Sequence, residues 1–534
     1  MTFCAHKDMK KKSDNLKKGA KMSASRKIVP FSDAPQVFAR LKKEGKKIVQ
    51  CHGTFDLLHP GHILHFEEAK ALGDILVVTI TGEDYVNKGP GRPYFNDELR
   101  VKYLTSLECI DYVTVVPFLA ATEAIECVRP HIYCKGREYK NPKADVTGNI
   151  RDDIRIVKRL GGRVCYVGSV VFSSTKLLNK HFDVYPPEMK EFCGKLAERF
   201  TPGQFRDIVE SFKDLKVLII GDIIFDRYST VKVQGLTSKN RIISTRFLSE
   251  DTQAGGALAV FRHVKQFTPN VRLLSIAGTE PWVEPALVKY IKPGSDEIIR
   301  CPDFTTIIKQ RFVEPLSEGK ELSKLFALDV IDEQCPSEKL QSQICSRIDG
   351  CIRDYDLVMV MDFGHGLMQE KVRKLVQKKA PFLFLNCQTN SYNHGFNIID
   401  RQYYRADSFS LDAMETTLAC GLRNIDFARA LRNLQGKLGA RYGWLTRGAT
   451  NTLGIKTGEP ECNCVPFEKS IIDTVGAGDA FCSVASLAAA KDLPVDLAVF
   501  MGQLAGAQAV RIIGNSESIK KEKFIKGGMS LLTF

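Results

Sequence analysis

Two stretches carry residue types at spacings suited to handling phosphate: GTFDLLHPGH from Gly53 to His62, and IIDTVGAGDAF from Ile471 to Phe481. In the first, the glycines let the backbone come close to a phosphate. His59 and His62 flank Pro60-Gly61 at the start of a helix-like segment, where they can donate hydrogen bonds to phosphoryl oxygens. Such donors stabilise the charge of an in-line displacement. His65 extends the spacing to a third histidine, which by spacing alone also admits a metal cluster; the intervening Pro60-Gly61 favours the nucleotide reading. In the second stretch, the Gly476-Ala477-Gly478 turn presents backbone N–H groups at a helix start, an anion hole for a transferring phosphoryl group. Asp479 is then placed to take a proton from a substrate hydroxyl. A helix N-cap with a turn is the plainer account of this stretch, and the residues around it favour catalysis.

Both stretches follow short apolar runs, Lys47 to Gln50 and Ser470 to Ile472, so each predicts strand, tight turn and helix N-terminus. Up to about Val167, strand-like runs (Ile75–Ile80, Tyr112–Val116, Arg163–Val167) alternate with helical ones (Gly61–Leu72, Asn96–Leu107, Ala121–Val128). This is the βαβ rhythm of a parallel sheet. Pro186 and Pro187 mark a boundary. A second α/β series begins at Lys216–Asp222 and continues through Asp356–Gly366, Pro381–Asn386 and Gly443–Gly448. No short-period repeat relates the halves, so two different folds are expected.

At 534 residues the chain exceeds one ordinary core and predicts two large α/β domains. Its 44% hydrophobic and 26% charged content is that of a soluble globular protein, with no apolar run near the ~18 residues of a membrane span. No membrane partner is expected. About half of the formal charge of +14 comes from the first thirty residues, among them Lys7, Lys10, Lys11, Lys12, Lys17, Lys18, Lys21, Arg26 and Lys27. That pattern reads as a disordered basic tail rather than a nucleic-acid arm, and no nucleic-acid partner is expected. The sixteen cysteines are scattered, and the close pair Cys462 and Cys464 lacks a second pair at zinc-site spacing. Reduced thiols and a cytoplasmic location follow.

The first stretch is joined in order by NKGPGRPYFNDELRVKYLTSLECIDYV from Asn87, HIYCKGREY from His131 and VFSSTKLL from Val171. Together they make residues 47–183 resemble the cytidylyltransferase-like nucleotidyltransferases, whose HxGH motif holds a nucleotide triphosphate. The resemblance implies a Rossmann-like α/β domain in which Thr54 and Phe55 contact the nucleotide beside His59 and His62. It implies that Lys88 and Arg92 neutralise phosphates, Lys88 serving catalysis with the two histidines, and that Lys135 and Gly136 lie on a loop near the acceptor or base. Ser173, Ser174 and Thr175 would cap a helix against the triphosphate. The implied reaction is attack by an acceptor phosphate oxygen on the α-phosphorus, with pyrophosphate leaving and Mg²⁺ bridging oxygens.

Residues 214–534 resemble the ribokinase-like sugar kinases, often called PfkB, through GDIIFDRY from Gly221, the pair Gly255-Gly256, Thr446-Arg447-Gly448 and DTVGAGDAF. The resemblance implies Asp479 as base, Gly476, Ala477 and Gly478 as anion hole, Thr446, Arg447 and Gly448 cradling ATP, and Asp226, Gly255 and Gly256 holding the sugar. Three positions depart from the pattern: Ala259 stands near the place of an asparagine, a DYGKG-like turn appears as DFGHG with His365, and an NxxE pair that organises Mg²⁺ is present as Asp412 and Glu415.

The expected fold class is therefore α/β in two domains. The chain divides into a tail at 1–30, a nucleotidyltransferase domain at 31–184, a linker and helix at 185–213 and a kinase domain at 214–534. The pairing resembles the bifunctional heptose-phosphate kinase and heptose-1-phosphate adenylyltransferase family, with the order reversed. It implies ATP-dependent phosphorylation of a sugar phosphate, led by heptose 7-phosphate, and nucleotidyl transfer from ATP or CTP to a sugar 1-phosphate. Mg²⁺, nucleoside triphosphates and sugar phosphates are the implied ligands, and a homodimer is a common state of such kinases. The alternative is a cytidylyltransferase for an alcohol or sugar phosphate whose kinase-like half is degenerate, regulatory or dimerising.

Overall fold

Near-continuous apolar runs such as ILVVTIT become strands buried on both faces, which requires helices on each side and hence parallel pairing. The computed structural model describes residues 24–140, 149–168, 185–291, 297–317, 321–331, 336–390 and 393–533. These group into two compact units, one comprising Met1–Asn87 with Arg92–Ser174, the other Lys88–Gly91 with Thr175–Phe534. Both are α/β.

The first unit holds strands β1 (Ile48–Gly53), β2 (Ile75–Thr81), β3 (Tyr112–Val116), β4 (Ile132–Gly136) and β5 (Arg163–Val167). They alternate with helices α1 (Ala34–Lys43), α2 (Pro60–Lys70), α3 (Asp97–Ser106), α4 (Ala121–Val128) and α5 (Asn149–Arg159). All strand pairs are parallel, in the order β3-β2-β1-β4-β5. The chain thus moves outward from β1 in one direction, then returns to build on the other side. That reversal leaves a crevice beyond the carboxyl ends of β1 and β4, the position where open α/β sheets bind ligands. One face of the sheet packs Cys51, Phe55, Phe66, Val78, Ile80, Leu104 and Ile132 into a core, and the other packs Phe38, Ile48, Val77 and Val128.

The second unit has a nine-stranded sheet and a separate four-stranded one. The larger comprises β6 (Val217–Gly221), β9 (Val271–Ala277), β10 (Glu297–Arg300), β13 (Leu357–Asp362), β14 (Leu383–Cys387), β15 (Ser408–Asp412), β16 (Tyr442–Thr446), β17 (Thr452–Lys456) and β18 (Cys462–Cys464). Its order is β10-β9-β6-β13-β14-β15-β16-β17-β18, parallel as far as β16 and antiparallel beyond. The smaller sheet, ordered β12-β11-β7-β8, is formed by β7 (Ile223–Leu236), β8 (Ile243–Gly256), β11 (Ile307–Ser317) and β12 (Glu321–Val330). Sequence reading did not anticipate this sheet. Its strands mix exposed apolar and polar residues, so neither continuous hydrophobicity nor clean alternation announces them.

Candidate active sites

In the first unit the end of β1 delivers GTFDLLHPGH to the crevice. His59 is the N-cap of α2, and its Nδ1 accepts from the backbone N–H of His62 at 3.3 Å, with Pro60 in the first turn. The His59 and His62 rings stack with centroids 3.8 Å apart and planes 15° from parallel. Phe55, held at φ +45°, sets its ring edge-on against His62 at 5.3 Å. Two imidazoles are thus fixed side by side at the positive end of a helix, which favours an anion. His65 points elsewhere: burial, followed by the neighbouring Lys135 charge, holds it near a pKa of about 4 against the upward pull of the Val167 backbone and Glu68. Among the described residues no three His, Cys, Asp or Glu side chains form a metal-binding group.

Several residues support the loop that sequence reading did not single out. Buried Arg100 on α3 donates to Thr54 O at 2.7 Å and pairs with Asp97. Tyr103 donates to the carbonyls of Phe55 and Asp56. The Asp56 carboxylate accepts from the N–H groups of Tyr94 and Phe95, and from Arg92 at 3.2 Å in a pair whose side chains are 2% and 3% exposed. Arg92, expected on phosphate, is therefore engaged in anchoring the Asp56 turn. Lys135 and Gly136, expected on a loop, are the last two residues of β4. Lys135 is held 3.2 Å from Asp153 of α5 and lies over the rings of Tyr133 and Tyr139 at 5.4 and 5.5 Å, while Tyr133 also donates to Asp153. Lys88 is half-buried and falls among the four residues that group with the second unit. Ser173, Ser174 and Thr175 lie outside the described residues.

In the second unit Gly476, at φ +79°, is the N-cap of the helix Ala477–Ala490, and Ala477, Gly478 and Asp479 form its first turn. A Cβ at Gly476 would come within 2.3 Å of Asn515 Oδ1, so both the left-handed backbone and the close approach require glycine. No strand precedes the turn, contrary to the sequence expectation: Ile471 is exposed, and the Ile472 N–H bonds the carbonyl of Val510 at the end of a helix. Asp479 accepts from Gln388, just past β14, at 3.1 Å. Burial, then the Asp226 charge, push the Asp479 carboxyl up to about 7, against the opposing effects of Gln388 and Lys309. A carboxyl poised there is suited to general-base work near neutrality.

Asp226 lies on β7, whose start pairs with the end of β8. It accepts from Arg311 of β11 at 2.5 Å and from Asn515 at 3.2 Å. A Cβ on Gly255 would reach 2.3 Å from Asp226 Oδ2, so the glycine leaves room for the carboxylate; Gly256, at φ +56°, begins the helix Ala257–Val264. Asp473 ties the smaller sheet to the glycine turn, accepting from Tyr228, Lys324, Gly514 N and Val475 N. Asp222, raised to about 7 by burial and then by Asp362, accepts from the N–H groups of His365 and Leu367 and so fixes the DFGHG turn. Burial and then Lys309 lower His365 to about 3, leaving it neutral. None of these partners has a local motif: Asp226 and Arg311 are 85 residues apart, Tyr228 and Asp473 are 245.

Asp412 and Thr446 end adjacent strands in register. With Ala413, Met414, Phe427, Arg447, Gly448 and Thr450 they line a pocket of about 420 Å³, so two separately expected groups come together. Arg447 lies 4.5 Å over the Phe427 ring. Asp412 and Glu415 form a reciprocal capping box at the start of the helix Ala413–Cys420. Glu415 also accepts from Thr389 N and is pushed up to about 8 by burial and then by Asp412. Asp412 Oδ2 faces no protein donor among the described residues, and one or two such carboxylates suit a hydrated Mg²⁺ completed by substrate phosphates.

Residues 51–185 match the cytidylyltransferase-like family model, and residues 423–522 match that of the pfkB family carbohydrate kinases. Curated relatives include the Bifunctional protein HldE of Aliarcobacter butzleri (strain RM4018), 36% identical over 27% of this chain and 30% of the relative. The protein of the same name from Desulfatibacillum aliphaticivorans is 36% identical over 28% and 30%. The chain thus spans about a third of the length of these relatives. Among solved structures, phosphofructokinase-2 from Escherichia coli in complex with substrates and products is 14% identical, covering 59% of this chain and 98% of that one with a TM-score of 0.47. Arabidopsis thaliana ribokinase complexed with ribose and ATP is 16% identical, covering 60% and 99% with a TM-score of 0.45. The chain joins a cytidylyltransferase-like domain to a pfkB family carbohydrate kinase domain.

Proposed function

We propose that the protein is a bifunctional enzyme of nucleotide-sugar synthesis. The kinase half phosphorylates the anomeric hydroxyl of a sugar phosphate, led by heptose 7-phosphate, and the transferase half joins a sugar 1-phosphate to a nucleotide with release of pyrophosphate. The observation that carries this reading is the recurrence of one device in the two units. Each places a helix N-terminus beside residues suited to phosphoryl chemistry, the stacked His59–His62 pair in one and Asp479 behind Gly476 in the other. A phosphatase-type step must remove the original phosphate between the two reactions.

In the kinase, Asp479 accepts the proton of the attacking hydroxyl while the N–H groups of Ala477–Asp479 receive the transferring phosphoryl group. Asp226, Gly255 and Gly256 hold the sugar, and Thr446, Arg447 and Gly448 hold ATP, with Asp412 and Glu415 organising hydrated Mg²⁺. In the transferase, His59 and His62 stabilise charge on the triphosphate, with Lys135 near the acceptor or base, as an acceptor phosphate oxygen attacks the α-phosphorus. The NKGPGRP and SST motifs support phosphate-binding roles for Lys88 and for Ser173, Ser174 and Thr175. Mg²⁺ supplies additional neutralisation of the phosphate oxygens when bound.

ATP is the proposed nucleotide in both halves, and no residue in the crevice has been tied to the base, so CTP is the alternative for the transferase. The second reading, a cytidylyltransferase with a silent kinase half, draws on His365 in the DFGHG turn. Separate assays of ADP and pyrophosphate release with ATP and with CTP distinguish them: the proposal requires sugar-dependent ADP, and the second reading requires CTP-dependent pyrophosphate alone. A homodimer through the smaller sheet is also proposed, supported by exposed Leu236, Ile243, Phe247, Phe326 and Leu328. Among the described residues no helix is long and apolar enough to cross a membrane, and the cytoplasmic location rests on the reading of the cysteines as reduced thiols.

A further inference from the structure

Three cations, Lys309, Arg311 and Lys324, rise from β11 and β12. Two are committed. Arg311 pairs with Asp226 and Lys324 with Asp473, at 2.5 and 2.7 Å. Lys309 makes no hydrogen bond or ion pair among the described residues, although it stands directly opposite Asp226 in the β7–β11 register. Residues two apart on a strand share a face, so Lys309 lies on the same face as Arg311 and hence on the Asp226 side of the sheet. Its charge acts on Asp479 and on His365, so it lies near the groups that surround the proposed acceptor hydroxyl. Partly burying an ammonium without a direct partner is costly, and burial lowers its pKa despite Asp226, Asp329 and Asp479 nearby. With His365 neutral and Asp226 held by Arg311, Lys309 is the cation of this cluster that no carboxylate holds in a direct ion pair.

We propose that Lys309 is an anion-binding residue of the acceptor subsite, receiving a phosphate that the sugar already carries, so that the acceptor is a sugar phosphate rather than a neutral sugar. This rests on the kinase reading and names the residue that recognises the second phosphate. The same ammonium could meet a phosphate from another source, the group in transit from ATP, and kinetics separate the two.

The test compares wild type with Lys309→Met and Lys309→Arg on one sugar in phosphorylated and unphosphorylated forms. In Lys309→Met, KM for the phosphorylated sugar should rise about tenfold or more with kcat little changed, as expected for loss of a charge-assisted contact. KM for the neutral sugar should stay unchanged, and Lys309→Arg should restore most of the affinity. An equal fall of kcat on both acceptors would assign Lys309 to the transferring group and overturn the proposal, as would unchanged kinetics. Calorimetric titration of inorganic phosphate provides a readout independent of turnover. Binding to wild type that is lost in Lys309→Met would uphold the site even if no sugar were phosphorylated, which would sink the kinase reading alone. Equal binding to both proteins, or to neither, would overturn the Lys309 assignment. Thermal melting of Lys309→Met should not fall below that of wild type, because Lys309 has no ion pair to lose and the cost of burying its charge is removed.

Discussion

Asp479 combines two properties that a hydroxyl-activating base needs, a helix N-terminus beside it and a carboxyl pushed up to about 7 by burial and Asp226. Replacing it by asparagine keeps the Gln388 contact feasible but removes the base, and kinase kcat should fall on the order of 10²–10⁴-fold. Pyrophosphate release by the other half should be unchanged. Because only the ionised carboxylate accepts the proton, kinase kcat/KM should rise with pH and reach half its maximum near 7. Removing the neighbouring negative charge with Asp226→Asn should move that limb to lower pH, whatever it does to KM. A profile flat from pH 5 to 9 would be incompatible with Asp479 as the base. In the transferase, His62→Ala should lower pyrophosphate release on the order of 10²–10³-fold, as loss of a charge-stabilising donor does. Asp479, His59 and His62 were legible in the sequence because each lies within a few residues of the turn that positions it. Arg311, Gln388 and Asp153 were not, since their partners are brought to them only by tertiary structure.

In the first unit Tyr112–Val116, Ala121–Val128 and Arg163–Val167 form where continuous apolar or helical periodicity placed them, whereas α1, β4 and α5 were not anticipated, the end of β4 having been expected as a loop. The smaller sheet of the second unit escaped, since its long strands expose Phe247 and Phe326 and carry Lys and Glu throughout. The strand expected before the glycine turn at 476 is absent because its short run packs against the end of a helix rather than entering a sheet. Contacts between elements give two further predictions. Gly255→Ala should drive a methyl group into the Asp226 carboxylate, raising the sugar KM and costing about 1–3 kcal/mol of stability. Differential scanning calorimetry and kinase kinetics check both, and unchanged sugar affinity would contradict the placement of Asp226 in the sugar site. Asp153→Asn should loosen the hold of α5 on Lys135 and weaken nucleotide binding by the transferase about tenfold, with little change in kinase KM.

For the molecule as a whole, two chemistries on separate units should be separable by mutation. His62→Ala should silence one and Asp479→Asn the other, each leaving its neighbour at wild-type rate. If the smaller sheet joins two copies, sedimentation should give a dimer that Phe247→Asp converts to monomer. One chain is proposed both to phosphorylate a sugar phosphate and to nucleotidylate a sugar 1-phosphate. The most direct measurement is a ³¹P NMR time course of the wild-type protein with Mg²⁺ and ATP, supplied in parallel with heptose 7-phosphate and with heptose 1-phosphate. ADP with a new anomeric phosphate resonance is expected in the first tube, and pyrophosphate with a nucleotide-sugar diphosphate in the second. Pyrophosphate without sugar-dependent ADP, or neither product, would contradict that proposal.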